Sequence, residues 1–388
     1  MIIGHYIHHL EGQGGVEVYL KRIAGAQQAA GHTVYYFSKY TSSSDHNSAI
    51  AAETEASLYE QAKRLGVELL HLHASVSLAP PEDFVTIRTM HGHQAYCPSG
   101  SKYLKRQGTP CDRAYSLQGC LWGHLIDHCG SIRPHRLAEN FQTLFNEKRI
   151  LAKIPVLTNS EFVTEHMIAE GYPPHLIHTL YVCATEVAHV QEPPQIGIPH
   201  FAFLGRLVPE KGVVWLLRAL AQVKVPVHLD IAGVGNQTAT LQTMIQQLGL
   251  ADRVTLHGWL NMEASYQLIQ RSRALIFPSV WHEPAGLVAY EAMLNARATI
   301  ASRVGGIPEG VLDGVTGLLV EPNDIAGLAN HIERLATDWA LAKQLGENGR
   351  RMAQQSFGLQ NHMQKLMQFY EQVMRSSKDQ PLGLSNCS

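Results

Sequence analysis

Short apolar runs alternate with longer amphipathic stretches along almost the whole chain. Such an alternation is typical of βαβ units, in which buried parallel strands are joined by covering helices. The first half predicts strands at IIGHYI, TVYYFS, LLHLHA, FVTIRTM and IPVLTNS. The second half predicts strands at HFAFLGRL, VHLDIAG, RVTLHGWL, ALIFPS, ATIAS and GLLV. We therefore predict an α/β fold with two Rossmann-like parallel-sheet domains that face a cleft.

A break in this pattern divides the chain. Three prolines interrupt any element in VQEPPQIGIP, residues 190–199, and a single long helix is predicted over residues 339–375. In open parallel sheets ligands bind at the carboxyl ends of the strands, so the site is expected between the two halves. The predicted division is an N-terminal domain (1–190), a linker (191–199), a C-terminal domain (200–355) and a flexible tail (377–388).

Composition narrows the class of protein. The chain has 388 residues, 45% of them hydrophobic and 16% charged, as expected for globular domains. A net charge of −2 gives no reason to expect nucleic acid. The start MIIGHYIHHLEG lacks a basic segment and a cleavage site, so we expect a first strand and a cytoplasmic protein, whose six cysteines are thiols or metal ligands. Composition alone does not explain the 22 histidines.

Two acids, Glu283 and Glu291, stand eight residues apart around a predicted helix start in the second half. The first turn of that helix offers unpaired amides to an anion such as a diphosphate. The carboxylates then lie about 12 Å apart by helical rise, and each accepts hydrogen bonds from vicinal hydroxyls. This spacing suits a nucleotide sugar, with a surface helix carrying two solvated acids as the alternative. The predicted anion-binding amides are those of Gly286, Leu287 and Val288.

Two cations and two glycine-rich turns add to this site. In FLGRLVPEKG a strand ends at Gly205, and Arg206 and Lys211 flank the following turn. These cations would neutralise a leaving diphosphate, unless they simply form a solvated turn. EGQGGVE, residues 11–17, does not complete a dinucleotide fingerprint, but its backbone can approach a phosphate or sugar. The further predicted donor-binding glycines are Gly14, Gly15, Gly205 and Gly235, the last in the loop expected to influence base choice.

These motifs together resemble the retaining glycosyltransferases of family 4, which have the GT-B fold. The resemblance lies in HEPAGLVAYEAM, GRLVPEKG, GGVE and VGGIPEGVLDGVTGLLVEPND, and is closest over residues 200–330. It implies that Glu283 meets the donor hexose, that Glu291 meets the ribose, and that His91 in TMHGHQ points at the donor sugar. The remaining roles implied are diphosphate binding by Arg206 and Lys211, sugar and phosphate contacts by the amides near Gly286 and Leu287, and closure over the donor by Gly14 and Gly15.

The resemblance also implies an architecture and a mechanism. The last helix, residues 356–376, should return to the N-terminal domain. Departures from the family pattern are TLYVCATEV, which lacks the usual Asn-Gly turn, and Tyr290, where a leucine is usual. No Asp-x-Asp occurs, so we expect a metal-independent enzyme that requires no cofactor besides its nucleotide-diphosphate sugar. No carboxylate nucleophile is evident in the acceptor half, which agrees with front-face substitution.

The expected reaction is hexose transfer to an acceptor hydroxyl on a glycan, a lipid carrier or a small molecule. A sugar-nucleotide epimerase or hydrolase of the same fold is the nearest alternative, since it would bind the same donor without an acceptor. A non-catalytic sugar-nucleotide or redox-sensing module, with the cysteines as its active feature, is the alternative from another class.

The segment 97–136 interrupts the first half and carries most of the cysteines. If GCLWGHLIDHC is helical, Cys120, His124 and His128 lie on one face, where they could bind zinc. Buried thiols and disulfides are the alternatives, because no Cys-x-x-Cys pair is present. From residue 100 to 136 six Lys or Arg oppose two Asp. This basic excess suits peripheral contact with the inner membrane face or simply a solvated loop. The metal-ligand candidates are Cys97, Cys111, Cys120, His124, His128 and Cys129.

Overall fold

The computed structural model describes residues 1–10, 14–40, 49–184, 187 and 189–379. The strands are β1 (Ile2–His9), β2 (Thr33–Tyr40), β3 (Ile50–Ala51), β4 (Leu69–Leu72), β5 (Thr86–Met90), β6 (Tyr103–Leu104), β7 (Thr109–Pro110), β8 (Val156–Thr158), β9 (Ile177–Thr179), β10 (His200–Leu204), β11 (His228–Ala232), β12 (Val254–Gly258), β13 (Ala274–Phe277), β14 (Ala298–Ser302) and β15 (Gly317–Val320).

The helices are α1 (Gly15–Ala29), α2 (Glu55–Arg64), α3 (Leu117–Leu125), α4 (Pro134–Leu151), α5 (Glu161–Ala169), α6 (Val213–Leu220), α7 (Thr238–Gln247), α8 (Met262–Gln270), α9 (Leu287–Leu294), α10 (Ile307–Gly310), α11 (Ile325–Thr337), α12 (Trp339–Ser356) and α13 (Leu359–Asp379). Short 3-10 turns occur at Pro174–Leu176 and Pro209–Lys211. None of these described helices is long and apolar enough to span a bilayer.

Two parallel sheets form the frame of the molecule. The first has the strand order β3-β2-β1-β4-β5-β8-β9 and the second β12-β11-β10-β13-β14-β15. All pairings within both sheets are parallel, and helices connect most of the described strands. Strand β10 therefore lies between β11 and β13, and the carboxyl ends of β10 and β13 are neighbours. The predicted α/β class with two parallel-sheet domains is confirmed.

The long helix predicted over residues 339–375 is wrong in one respect. The chain breaks between α12 and α13 at Phe357 and Gly358, because tertiary contacts hold this point. The Phe357 ring stacks on Tyr290 with centroids 3.8 Å apart, and Gly358 forms a β-bridge with Ala184. The unusual tyrosine before Glu291 thus has a packing role between the two halves of the molecule.

Helix α13 packs on the first sheet. Its Leu366 and Tyr370 are fully buried with Leu20 of α1 and Ile3 of β1 in one apolar cluster. The predicted flexible tail starts too early, since residues 377–379 belong to α13. Residues 380–388 of the predicted tail lie outside the described residues.

The segment 97–136 contains the antiparallel pair β6–β7, helix α3 and the start of α4. The helical face proposed for Cys120, His124 and His128 is wrong for the last of them. Helix α3 ends at Leu125, and His128 is exposed with a left-handed backbone at φ 56°. The reason is tertiary: the intervening Asp127 is buried and accepts from Arg113 Nη1 at 2.6 Å, which turns the chain out of the helix. No disulfide links the four cysteines of this segment.

Candidate active site

The carboxyl ends of β10 and β13 bring a lysine and a glutamate together. Lys211 follows β10 in its 3-10 turn, and Glu283 follows β13. Lys211 Nζ lies 2.5 Å from Glu283 Oε1, and the Ser279 hydroxyl donates to the same oxygen at 2.5 Å. Glu283 is only 4% exposed, so the pair is shielded from bulk water. One oxygen of the carboxylate is thus fixed by the protein.

Aromatic rings and one glycine hold Lys211 in place. Its ammonium lies 5.6 Å from the ring centroid of Phe277 and 5.5 Å from that of Trp281. The next residue, Gly212, has φ 70°, and a Cβ there would lie 1.8 Å from the carbonyl oxygen of Pro278. Only glycine is compatible with this approach, so the turn after Lys211 is fixed by backbone contact with the end of β13.

Helix α9 begins at Leu287, four residues after Glu283, with Gly286 as its N-cap and no side-chain cap. The amides of Leu287 and Val288 in its first turn have no intrahelical acceptor and carry the positive end of the helix dipole. The loop carrying Glu283 packs on Gly305, which has φ 57° and where a Cβ would lie 2.3 Å from the Glu283 carbonyl oxygen. The helix start is therefore open to an anion while its flank is rigid.

Glu291 lies further along α9 and meets an arginine from the other half of the chain. Arg22 Nη2 of α1 is 3.7 Å from Glu291 Oε1, and Arg22 Nη1 donates to the Cys183 carbonyl at 2.5 Å. Burial raises the pKa of Glu291, and Arg22 offsets part of that rise. Nothing in the sequence predicts Arg22 at this site, because its partner is 269 positions away.

The other predicted donor-site residues lie around the same edge. Arg206 is exposed, and its side chain has no hydrogen bond or ion pair with another described residue. The loop after Gly205 packs closely on the loop after β11, since a Cβ at Gly235 would lie 2.1 Å from the Leu207 carbonyl oxygen. Across the cleft Gly14 is the N-cap of α1, and a Cβ at Gly15 would contact Leu287 at 3.9 Å. Residues 11–13 of EGQGGVE lie outside the described residues.

His91 follows β5 at the carboxyl edge of the first sheet and is partly buried. Its Nε2 lies 3.0 Å from Nδ1 of His73, which follows the neighbouring strand β4. The two rings stack with centroids 5.3 Å apart, and Tyr19 of α1 contacts His91 edge-on. Burial lowers the pKa of His91 to about 3, with Arg88 adding to the effect, so the imidazole is neutral at physiological pH.

A chain of buried hydrogen bonds fixes which nitrogen of His91 carries the proton. Gln27 Nε2 donates to the Tyr370 hydroxyl at 3.4 Å, so Gln27 Oε1 accepts from His5 Nε2 at 2.8 Å. His5 Nδ1 then accepts from His73 Nε2 at 3.0 Å, and His73 Nδ1 accepts from His91 Nε2 at 3.0 Å. A neutral imidazole has one donor and one acceptor nitrogen. The lone pair of His91 therefore lies on Nδ1, free for a ligand.

This hydrogen-bonded chain was not predicted from the sequence, although one signal was available. His71 and His73 are two positions apart on a predicted strand and hence on the same face of a sheet. His71 also pairs in register with His5 of β1, and its Nδ1 lies 2.6 Å from the Tyr370 hydroxyl. Several of the 22 histidines that composition left unexplained thus form one buried network.

Replacing Gln27 with leucine removes the acceptor at the far end of this chain. We expect His91 to lose its single tautomer in the Gln27→Leu variant, since His5 can then rotate or exchange its proton between nitrogens. The ¹⁵N chemical shifts of the His91 ring, assigned by comparison with His91→Asn, measure the populations. Gln28→Leu alters the exposed neighbour on the same helix and should leave the spectrum unchanged. An unaltered His91 tautomer in Gln27→Leu would contradict the chain.

A second set of contacts joins the segment 97–136 to the site. His93 Nε2 donates to the His282 carbonyl at 2.7 Å, and His282 Nε2 lies 2.8 Å from Oδ1 of Asp112. His282 directly precedes Glu283 in the chain. The cysteine-bearing segment therefore reaches the residue next to the buried Lys211–Glu283 pair.

Two groups of potential metal ligands occur among the described residues. They are His5 with His71 and His73, and His200 with His228 and Asp230, each with ligand atoms within 4.8 Å of one another. Neither group contains a residue of the predicted donor site. In the first group, every ring nitrogen already has a hydrogen-bond partner.

Residues 189–352 match the model of the Glycosyl transferases group 1 family. The D-inositol 3-phosphate glycosyltransferase of Arthrobacter sp. is 26% identical over 89% of this chain and 87% of that protein. The alpha-maltose-1-phosphate synthase of Mycobacterium tuberculosis is 27% identical over 67% and 74%. An uncharacterized glycosyltransferase of Methanocaldococcus jannaschii is 29% identical, and the match spans 44% of each chain.

Solved structures establish the fold over the full length. A sucrose-phosphate synthase from Thermosynechococcus elongatus superimposes with a TM-score of 0.74 at 23% identity, covering 97% of this chain and 99% of that one. The Anabaena protein HepE in complex with UDP-glucose gives a TM-score of 0.70 at 18% identity, covering 96% and 100%. The chain has the GT-B fold of these proteins.

Proposed function

We propose that this chain is a retaining, metal-independent glycosyltransferase of family 4 that moves a hexose from a nucleotide-diphosphate sugar to an acceptor hydroxyl. The observation that carries the proposal is the contact between Lys211 and Glu283 immediately before the open amino end of α9. A cation, a set of free amides and a buried carboxylate are thus gathered at the carboxyl edge of a parallel sheet. Nucleotide ligands bind at such edges.

The donor fits this edge as follows. Its diphosphate lies against the amino end of α9, where Lys211 and the exposed Arg206 balance its charge. Glu283 has one oxygen held by Lys211 and Ser279, and its other oxygen accepts from hexose hydroxyls. Glu291 accepts from the ribose hydroxyls, in competition with its ion pair to Arg22. We infer that donor binding shifts Arg22 away from Glu291 or bridges the two.

The transfer step follows from this arrangement. The acceptor oxygen attacks the anomeric carbon on the face from which the diphosphate leaves, and the bond between that carbon and the phosphate oxygen breaks. The released phosphate oxygen takes the acceptor proton. Lys211, Arg206 and the α9 amides stabilise the negative charge that grows on the diphosphate. His91, with its lone pair on Nδ1, accepts a hydrogen bond from a hydroxyl of the donor hexose and orients the ring.

The structure bears differently on the two alternative functions, an epimerase or hydrolase and a redox-sensing module. An epimerase or hydrolase would use the same donor site, and mass analysis of products with and without acceptors separates it from a transferase. A redox-sensing module needs a reactive thiolate. Burial raises the pKa of Cys120, and it raises the pKa of Cys129 to about 12, so these metal-free thiols are poor nucleophiles. That disfavours redox sensing.

A surface on the segment 97–136 supports peripheral contact with an anionic membrane, from which a lipid acceptor could be taken. Trp122 is 59% exposed and Leu125 is 55% exposed at the end of α3. Exposed basic residues accompany them, including Arg133 and Arg136. Apolar and basic side chains together are typical of segments that lie in the membrane interface. Cosedimentation with anionic vesicles, lost in Trp122→Ser and kept in wild type, tests this contact.

Thermal unfolding with nucleotide sugars tests the proposed donor site. We expect one of the UDP, GDP or ADP hexoses to raise the melting temperature, with UDP-glucose tried first. A ligand at 100 times its Kd adds about 2.7 kcal/mol to the free energy of unfolding. Arg218→Ala, which removes an exposed cation of α6, should keep the shift, and Lys211→Ala should lose most of it. No shift with any of these donors would contradict the proposal.

A further inference from the structure

Four cysteines that are well separated in sequence line a single cavity in the segment 97–136. The cavity has a volume of about 20 Å³, and its lining includes Cys97, Cys111, Cys120 and Cys129. All four are unpaired, and each is only partly exposed. The cavity lies outside the proposed donor site and contains none of its residues. Four thiols around one small space are the ligand set of a thiophilic metal centre.

A buried histidine on the same wall has an unsatisfied nitrogen. His124 is 1% exposed, and its Nδ1 donates to the Cys120 carbonyl at 2.8 Å, so a neutral ring carries its lone pair on Nε2. That Nε2 is buried, and no described residue forms a hydrogen bond with it. Such orphaned polar atoms are rare in folded proteins and often mark an absent ion or water.

Charged and polar residues beside the four cysteines also favour a metal site. Lys102 and Arg113 line the cavity; Arg113 is paired with Asp127, and Lys102 is the cation that offsets part of the negative charge of four thiolates. Lys102 is 3% exposed and has a left-handed backbone at φ 44°, a conformation that costs a non-glycine residue energy. Ser99 Oγ lies 3.2 Å from Cys97 Sγ, which adds a hydrogen-bond donor close to one thiol.

We propose that Cys97, Cys111, Cys120 and Cys129 hold a thiophilic metal centre, with a spacing that suits an iron–sulfur cluster better than a single zinc ion. Four sulfurs around one zinc, at about 2.3 Å from the metal, lie only about 3.8 Å from one another. In the described residues no three ligand atoms of this segment lie within 4.8 Å of one another. Iron–sulfur clusters are held by four cysteines and keep them farther apart.

The centre would have a structural consequence for the site. Cys111 directly precedes Asp112, whose carboxylate meets His282 beside Glu283. Nearby, Asn323 Nδ2 of the C-terminal half donates to the Gly108 carbonyl at 2.9 Å. Holding Cys111 at the metal would therefore order the wall of the cleft next to the donor hexose. This inference goes beyond the proposed transfer reaction, and its first test does not depend on activity.

Metal analysis of the full-length chain, purified without oxygen and without chelator, tests the proposal. We expect about four iron and four sulfide per chain, with the electron paramagnetic resonance of a reduced cluster. One zinc per chain and no iron would support the four-thiolate site and overturn its assignment to iron–sulfur. Less than about 0.1 equivalent of any thiophilic metal, both as purified and after reconstitution with iron and sulfide or with zinc, would overturn the site itself.

Variants separate the four ligands from the remaining described cysteine. Cys111→Ser and Cys120→Ser should lose most of the bound metal, because each removes one of four ligands. Cys183→Ser is the matched control, since Cys183 is buried and lies outside the cavity. It should retain the metal of the wild type. If the ligand variants do not fold, the analysis of the wild-type chain still decides the question, and donor binding in the thermal-shift experiment is scored separately.

Discussion

Replacing Lys211 with alanine is expected to lower kcat/KM for the nucleotide-sugar donor by about 100- to 1,000-fold. The ammonium contacts the Phe277 and Trp281 rings and pairs with Glu283, which precedes the start of α9, where the diphosphate would depart. A preorganised charge of this kind stabilises the developing negative charge without reorganising solvent, which is worth about 3 to 4 kcal/mol. Arg206→Ala should lower kcat/KM in the same direction. Steady-state kinetics with the donor found by thermal shift measure the effect.

Folding has to be separated from catalysis in this experiment. Lys211→Ala leaves Glu283 buried without its counter-ion, so some loss of stability is expected in addition. Lys211→Ala combined with Glu283→Gln removes the unpaired charge, and this double variant should regain stability without regaining activity. Arg218→Ala controls for the loss of one positive charge at the surface of the same domain. A kcat/KM for folded Lys211→Ala within threefold of wild type would contradict the diphosphate role.

The second large effect is acid unfolding of the N-terminal half. Burial lowers the pKa of His5 to about 4, of His93 to about 3 and of His362 to about 4. Burial also lowers the pKa of His71 and His73 well below the ordinary value. These rings are neutral in the folded protein but take up protons near pH 6.5 once unfolded. We therefore expect the protein to unfold cooperatively between about pH 5 and pH 4.

The sign and size of this effect follow from proton linkage. A histidine whose folded pKa is depressed gives its full stability above the unfolded pKa of about 6.5, and the stability is lost as the pH falls toward the folded pKa. Below the unfolded pKa, each such ring lowers the free energy of unfolding by about 1.4 kcal/mol per pH unit, or about 2 kcal/mol by pH 5. Three rings cost about 6 kcal/mol, which approaches the total stability of many domains. Burial raises the pKa of Glu291 and of Glu309, and these two carboxyls act in the opposite direction.

Circular dichroism across pH 7 to 4, with urea unfolding at each pH, measures this loss. His362→Asn should flatten the pH dependence of the free energy of unfolding, because it removes one titrating group. Asparagine is chosen because its amide can replace part of the hydrogen bonding of His362 with Tyr19 and the Tyr181 carbonyl. His135→Asn alters an exposed histidine and should leave the dependence unchanged. A free energy of unfolding that stays constant between pH 7 and pH 5 would contradict the buried neutral network.

The sequence predicted the fold class because buried runs of four to eight residues separated by helical patterns leave few arrangements besides parallel sheets. It also placed Lys211 and Glu283 at strand ends, where ligands bind. It did not predict that β10 and β13 are neighbours, on which their contact depends. Helix bounds failed where a tertiary contact decided them. The break at Phe357 follows from stacking on Tyr290, and the end of α3 before His128 follows from the pairing of Asp127 with Arg113.

Taken alone, the sequence determined which side chains carry charge, which can accept hydrogen bonds from sugar hydroxyls, and which helix amino end has uncapped amides. These properties belong to side chains and to local backbone geometry. Only the tertiary structure decided which of them meet. Arg22 reaches Glu291, Gln27 orients His91 through His5 and His73, and four dispersed cysteines line one cavity. Those contacts join positions tens to hundreds of residues apart, and hydrophobic patterning specifies which faces are buried but not which buried polar groups become partners.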